Sequence, residues 1–266
     1  MKLVIDIIAS LLFCSTLTII LVCQSSAVLS FFVIGGIYSA KVLYNDTNWE
    51  VGFTDWFIVS KTTTTAFGVI LMNIFRQHGW YTKNTHCITL FFLDLNIIEA
   101  MLREFESGYY ANSAVAVVLM SMIPYSISVY ELQILTEETS RKNMFVFPLH
   151  FYWILLYTSW NACFSYGGNM SLQTRLILVP PLIIGMYDIK LWLGARVLSL
   201  LLHLILRVSQ IVWFYRPGDS LLTPAAGTIE NSRIICHLWG VLNLIIWGVF
   251  YFISSKDSIS CELPIK

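Results

Sequence analysis

The chain has 266 residues, of which 57% are hydrophobic and 12% are charged. Soluble domains carry about 25% charged residues, so this chain has too few polar side chains to cover the surface of one. Its 16 basic and 16 acidic side chains give a formal net charge of zero, which argues against a nucleic-acid partner because nucleic acids are bound by basic patches. The composition therefore indicates an integral membrane protein whose main partner is the lipid bilayer.

Long apolar stretches recur from one end of the chain to the other. A membrane-spanning helix needs about 20 mostly apolar residues. Windows of that size predict nine spans, or eight if the first two merge: 3–22, 26–44, 56–75, 85–101, 112–131, 148–166, 174–188, 189–208 and 234–253. The first stretch is longer than the apolar part of a signal peptide and contains Asp6, which favours a span over a cleaved signal. The predicted fold is an all-α bundle of transmembrane helices, a single membrane domain over residues 1–266.

Short polar connections join the spans, at 45–55, 76–84, 102–111, 132–147, 167–173 and 216–233. The seventh span is short and contains Pro180 and Pro181, so we expect it to be kinked or broken. Asp188 directly follows that span and is a candidate N-cap of the next helix.

The third span begins with DWFIVSKTTTT, which puts Asp55 and Lys61 near one membrane interface. A lysine there extends its long side chain toward water while its methylene groups remain in apolar surroundings. We therefore expect Lys61 to extend to the interface.

The fourth span carries Asn96, Glu99 and Arg103, spaced three and four residues apart. Charges inside the hydrocarbon layer cost about 2.5–3.5 kcal/mol each on insertion scales, so they normally face protein or a water-filled cavity. Glu99 and Arg103 can pair along the helix. Glu99 is also a candidate partner for Arg196, because a buried arginine needs a carboxylate. Such an ion pair could equally fix helix packing without any chemistry.

The sixth span contains Tyr157, Trp160, Asn161 and Tyr166. Tyr157 and Asn161 share one helix face, and an asparagine in a membrane helix commonly bonds to a neighbouring helix. The aromatic rings suit either an interfacial belt or the wall of a ligand site, and the sequence favours the belt.

The eighth span places Arg196, Ser199, His203 and Arg207 at steps of three, four and four residues, with Gln210 continuing the series. That spacing puts them on one face of a helix. A lipid-facing stripe of this kind would be hard to insert, so we expect the face to look inward. Arg207 lies near the end of the span and is expected to extend to the interface.

Motifs for known chemistry are missing from the sequence. It contains no HExxH, GxSxG, Walker or GxGxxG pattern. The five histidines lack zinc spacing and the six cysteines form no CxxC pair, so the sequence predicts no metal, no cofactor and no disulfide framework. An enzymatic activity stays open.

Four segments resemble an uncharacterised family of bacterial multi-pass membrane proteins of unknown function. They are DWFIVSK (55–61), LNIIEAMLREFE (95–106), TSWNACFSYG (158–167) and LWLGARVLSLLLHLI (191–205), within about residues 50–250. The resemblance implies a protein of the bacterial inner membrane. It implies no activity and no site residue.

The sequence thus predicts an intramembrane polar site in a transporter or channel-like carrier for a small polar or anionic solute. Its candidate residues are Asn96, Glu99, Arg103, Tyr157, Asn161, Arg196 and His203. Arg196 would hold an anionic group, Glu99 would balance the charge and His203 would relay a proton. The short seventh span fits the discontinuous helices of transporter sites. One alternative is a membrane-embedded enzyme acting on a lipid or isoprenoid. The other is a non-catalytic membrane subunit whose polar cluster only orders the helices.

Overall fold

The computed structural model describes residues 56–142, 146–167, 178–208 and 229–260. Within these ranges the regular structure is entirely helical, with eight α-helices and one 3₁₀ turn. This confirms the predicted all-α class. The two predicted spans at 3–22 and 26–44 lie outside the described residues.

The helices follow one another with short connections. They are α1 Trp56–Gln77, α2 Lys83–Glu106, α3 Tyr110–Ser121, α4 Val129–Lys142, α5 Phe151–Gly167, α6 Val179–Tyr187, α7 Trp192–Val208 and α8 Ile229–Ser260. A 3₁₀ turn, Ile189–Leu191, joins α6 to α7. Five of the predicted spans correspond closely to α1, α2, α5, α7 and α8.

The stretch around residues 122–142 differs from the prediction. The predicted span 112–131 overlaps residues 112–121 of α3 and the first residues of α4. α3 ends ahead of Pro124 because a proline disfavours helical geometry in the residue before it. The predicted connection 132–147 is helical to Lys142. The Ser128 hydroxyl starts α4 by accepting from the backbone N–H of Glu131. Ser128 also donates its hydroxyl and its backbone N–H to the Glu131 carboxylate, and these two bonds lower the pKa of Glu131. A search for apolar windows misses this helix because it is polar.

The two prolines of the seventh span lie at the start of the described helix α6, and residues 174–177 of that span lie outside the described residues. Pro180 and Pro181 occupy the first turn of α6, where a missing backbone N–H removes no helical bond. Asp188 accepts from the backbone N–H of Lys190 at 3.1 Å and so caps the 3₁₀ turn that leads into α7. The predicted cap is therefore confirmed, one short turn ahead of the helix.

The helices pack in two linked groups. α1 lies against α2 and α7, and α6 lies against α7. α3 and α5 contact each other and both contact α8, while α2 also packs on α3. Between them lies a core of stacked and edge-on rings from Trp153, Tyr157 and Trp192. This arrangement brings polar side chains of α1, α2, α5 and α7 to one place.

Two helices are long and apolar enough to cross a membrane among those described: α2, and Arg233–Tyr251 within α8. Only 17% of the apolar window of α8 is buried among the described residues. Its outer face exposes a continuous apolar surface: Ile234, Ile235, Leu238, Val241, Leu242, Ile245, Ile246 and Val249.

Candidate functional site

A cluster of polar side chains joins α1 to α2. Lys61 donates to the backbone carbonyl of Asn96 at 2.6 Å and to its side-chain oxygen at 2.7 Å. Glu99 accepts from the hydroxyl groups of Ser60 and Thr64. The Lys61 Nζ lies 3.9 Å from the Glu99 carboxylate. Lys61 and Glu99 are both buried, so the two helices share an interior ion pair with satisfied hydrogen bonds.

Two predictions about this cluster are wrong. Lys61 does not extend to an interface, because its amine lies inside the bundle and contacts α2. Glu99 pairs with Lys61, and among the described residues neither Arg196 nor Arg103 forms an ion pair with it. The register of α1 against α2 decides this, because it brings Ser60, Lys61 and Thr64 onto the same side of Glu99.

Arg196 is the second buried cation and belongs to α7. Its side chain is buried, with the residue only 5% exposed. One terminal nitrogen, Nη2, donates to the side-chain oxygen of Asn161 at 3.2 Å. The guanidinium lies 5.8 Å from the centre of the Tyr157 ring, at cation–π distance. Ser199, one turn on, is also buried, which confirms for these two residues that the polar face of α7 looks inward.

Most of the Arg196 hydrogen-bonding capacity is unused. The Nε and Nη1 atoms carry three of the five N–H groups of an arginine, and both are buried without a hydrogen-bond partner. No carboxylate of the described residues lies within 4 Å of the guanidinium. An unpaired buried donor costs about 1–3 kcal/mol, and more when it is charged. The arrangement therefore favours an additional acceptor at this place.

Arg196 is one of the residues that line a cleft between α1, α2 and α7. The space between the walls, including the part open to solvent, amounts to about 560 Å³. The polar lining of the cleft comes from Thr64, Thr65, Thr89, Asn96, Tyr157 and Arg196, of which Thr89 donates its hydroxyl to the backbone of Thr85. The remaining walls are mainly apolar and include Leu71, Met72, Phe75, Phe92, Leu193 and Leu200.

Arg196 has no carboxylate partner among the described residues. The carboxylate of Glu99 pairs with Lys61 instead. An anionic ligand beside Arg196 would pair with this charge in a region of low dielectric constant.

The structure separates the predicted site residues into two groups. Asn96, Tyr157 and Arg196 line the cleft, Asn161 holds Arg196, and Glu99 lies behind Thr64. Arg103 and His203 do not line it. Arg103 lies 3.4 Å from Glu106 with its side chain 40% exposed, and His203 is half-buried farther along α7. The side chain of Arg207 lies outside the described residues.

The aromatic residues of α5 are part of the core. Tyr157 and Trp160 are buried and their rings pack edge to face, so the prediction of an interfacial belt is wrong for both. Tyr157 instead supplies a wall of the cleft beside Arg196.

A second buried polar centre escaped the sequence argument. Glu104 of α2 accepts from the Asn112 side chain and, at 3.0 Å, from the indole N–H of Trp160. All three residues are fully buried. The sequence analysis placed Glu104 in the connection 102–111, because it follows the predicted span 85–101. Its spacing from Ile97 and Ala100, which puts the three residues on one helix face, was the pattern that could have indicated its burial.

The threonines of α1 were also missed. Ser60, Lys61, Thr64 and Thr65 recur at helical spacing, which indicates one polar face, but the four consecutive threonines obscure that pattern. Elsewhere in the described ranges, no three side chains of His, Cys, Asp or Glu come together as a metal site requires. No protein-family model matches the chain, and no curated protein or solved structure is significantly similar to it. The resemblance to a bacterial membrane family stays a prediction.

Proposed function

We propose that the chain is a multi-pass membrane protein that binds a small anionic solute beside Arg196 and carries it through the bilayer. Its membrane region would comprise the predicted spans other than 112–131, which the structure divides between α3 and α4, in a bacterial inner membrane. The exposed apolar face of α8 supports insertion, because soluble proteins rarely expose a continuous apolar patch of this kind.

The single observation that carries the proposed ligand is the state of Arg196. Arg196 lines the cleft, three of its N–H groups are buried without a partner, and no carboxylate of the described residues lies within ion-pair distance of it. Arginine binds carboxylate, phosphate and related oxyanions through paired, charge-assisted hydrogen bonds. Such a ligand would satisfy the free donors and pair with the charge of Arg196.

The test is a binding titration on the purified full-length protein with two probes, inorganic phosphate and methanesulfonate. We expect at least one of them to bind, and Arg196→Gln to weaken that binding tenfold to a hundredfold. The reason is the loss of charge-assisted hydrogen bonds, about 1.5–3 kcal/mol. Arg233→Gln is the matched control, because Arg233 is exposed on α8 and should leave the affinity unchanged.

Transport is measured separately, as uptake of the binding probe into proteoliposomes containing wild type, Arg196→Gln or Arg233→Gln. Uptake that depends on Arg196 supports a carrier. Binding without uptake would contradict transport but support the anion site at Arg196. If neither probe binds to wild-type protein, or if Arg196→Gln binds as tightly as wild type, the proposed ligand site is wrong.

A further inference from the structure

The cleft changes character along its length. At one end Thr64, Thr65 and Asn96 accompany Arg196. Towards the other end, α1 contributes Leu71, Met72 and Phe75. From Thr64 to Phe75 the lining extends about 16 Å along α1, at 1.5 Å per residue. A compact inorganic anion would fill only the polar end and leave the apolar length empty.

The mouth of the cleft is apolar as well. Leu71 and Val197 are partly exposed and Ile88 is exposed, and these three residues belong to α1, α7 and α2 respectively. Phe67 and Phe91 beside them are more than half exposed. The opening therefore lies among the apolar sides of the helices, the surface that would meet acyl chains in a membrane.

We propose that the ligand of this cleft is an anionic amphiphile, with its single charged oxyanion group at Arg196 and its alkyl chain along the apolar walls. This inference rests on the proposed anion site and adds the class of ligand. It also gives the route of entry, sideways from the bilayer. The charged head group would accept from the free Nε and Nη1 donors of Arg196. The alkyl chain of the ligand would cover Leu71, Met72, Phe75 and Leu200.

The test measures how binding depends on chain length. Methanesulfonate, butanesulfonate and octanesulfonate keep the same charged group at every pH and differ only in the alkyl chain. Each is titrated, below its micelle concentration, into full-length wild type and Arg196→Gln held in amphipol. Subtracting the Arg196→Gln isotherm removes nonspecific partitioning. We expect the affinity to rise about fourfold for each methylene that enters the cleft.

Two variants test where the alkyl chain of the ligand lies. Val197→Phe narrows the mouth of the cleft, so it should reduce the gain in affinity with alkyl chain length. Val117→Phe is the matched control, because Val117 is exposed on α3 and should behave as wild type. The wild-type series decides the question even if Val197→Phe does not fold.

The other outcomes are distinct. Equal affinity for methanesulfonate and octanesulfonate, lost in Arg196→Gln, would overturn the amphiphile and leave the anion site standing. Absence of Arg196-dependent binding for every sulfonate would overturn both. Octyltrimethylammonium has the same alkyl chain as octanesulfonate and the opposite charge. If it binds as tightly as octanesulfonate, the cleft takes up apolar chains without regard to charge, and the inference is overturned.

Discussion

Glu104 and Glu106 lie two residues apart on α2 and have opposite surroundings. Glu106 is half exposed and pairs with Arg103 on the helix surface, an arrangement worth little because water screens it. Glu104 is buried and receives N–H groups from α3 and α5. A buried carboxylate that loses a donor is left partly unsatisfied, so the second centre should matter for stability.

Trp160→Phe tests this centre, because phenylalanine retains most of the ring and removes the indole N–H that Glu104 accepts. We expect a loss of about 1–3 kcal/mol in the free energy of unfolding, measured by denaturant titration of the purified protein. Trp80→Phe is the matched control, since Trp80 is 53% exposed. Equal stability of the two variants would show that the bond to Glu104 contributes nothing.

At the residue scale, the sequence could identify Asn96, Asn161 and Arg196, because a polar residue inside an apolar stretch must find an interior partner. It could not identify the partners. Lys61 and Glu99 lie 38 positions apart, and their contact depends on how far α1 is displaced along α2. That displacement is a property of packing between two helices and is not encoded in either apolar window.

At the scale of elements, the contact between α3 and α8 depends on a glycine. A Cβ atom added to Gly240 would lie 2.7 Å from the backbone of Ala111 and Asn112, which is well inside van der Waals contact. The two helix backbones approach so closely only because Gly240 has no side chain, as in small-residue interfaces of membrane helices.

Gly240→Ala should therefore destabilise the protein by about 1–3 kcal/mol, because the added methyl group pushes α3 and α8 apart. The measurement is the unfolding temperature in detergent. Gly248→Ala, two turns on in α8, is the control. A Cβ there meets nothing within 4 Å, so the better helix propensity of alanine should keep or slightly raise the temperature. Equal shifts in the two variants would contradict the close approach.

The boundaries of elements show where local patterns stop being informative. α1, α2, α5 and α7 follow from runs of apolar residues, whereas α4 is a polar helix that begins at a Ser128–Glu131 cap. Its attachment is tertiary: Glu138 pairs with Lys190, 2.9 Å away in the 3₁₀ turn. A window of apolar residues cannot detect a helix that is stabilised in this way.

At the scale of the whole molecule, a substitution on the outer face of α8 tests whether the protein is inserted in a membrane. Leu242 lies at the middle of the apolar stretch Arg233–Tyr251 and is 54% exposed. In water, an exposed leucine can be replaced by arginine at almost no cost. At the centre of a bilayer the same replacement costs about 2.5–3.5 kcal/mol on insertion scales.

Leu242→Arg should accordingly lower the amount of protein that resists alkaline extraction from membranes. Glu137→Arg should not, because Glu137 is an exposed residue of the polar helix α4. The readout is the ratio of extracted to retained protein for each variant. Equal retention of Leu242→Arg and wild type, or wild-type protein in the aqueous fraction, would contradict membrane insertion through α8.

The sequence by itself determined that this protein is helical, that its surface is too apolar for an ordinary soluble domain, and that Arg196 needs an interior environment. These are consequences of composition and of spacing within one helix. The tertiary structure decided that Lys61 meets Glu99, that Arg196 is left with free donors, and that a cleft with one polar and one apolar end lies beside it. These depend on the register and approach of separate helices, which no single stretch of sequence contains.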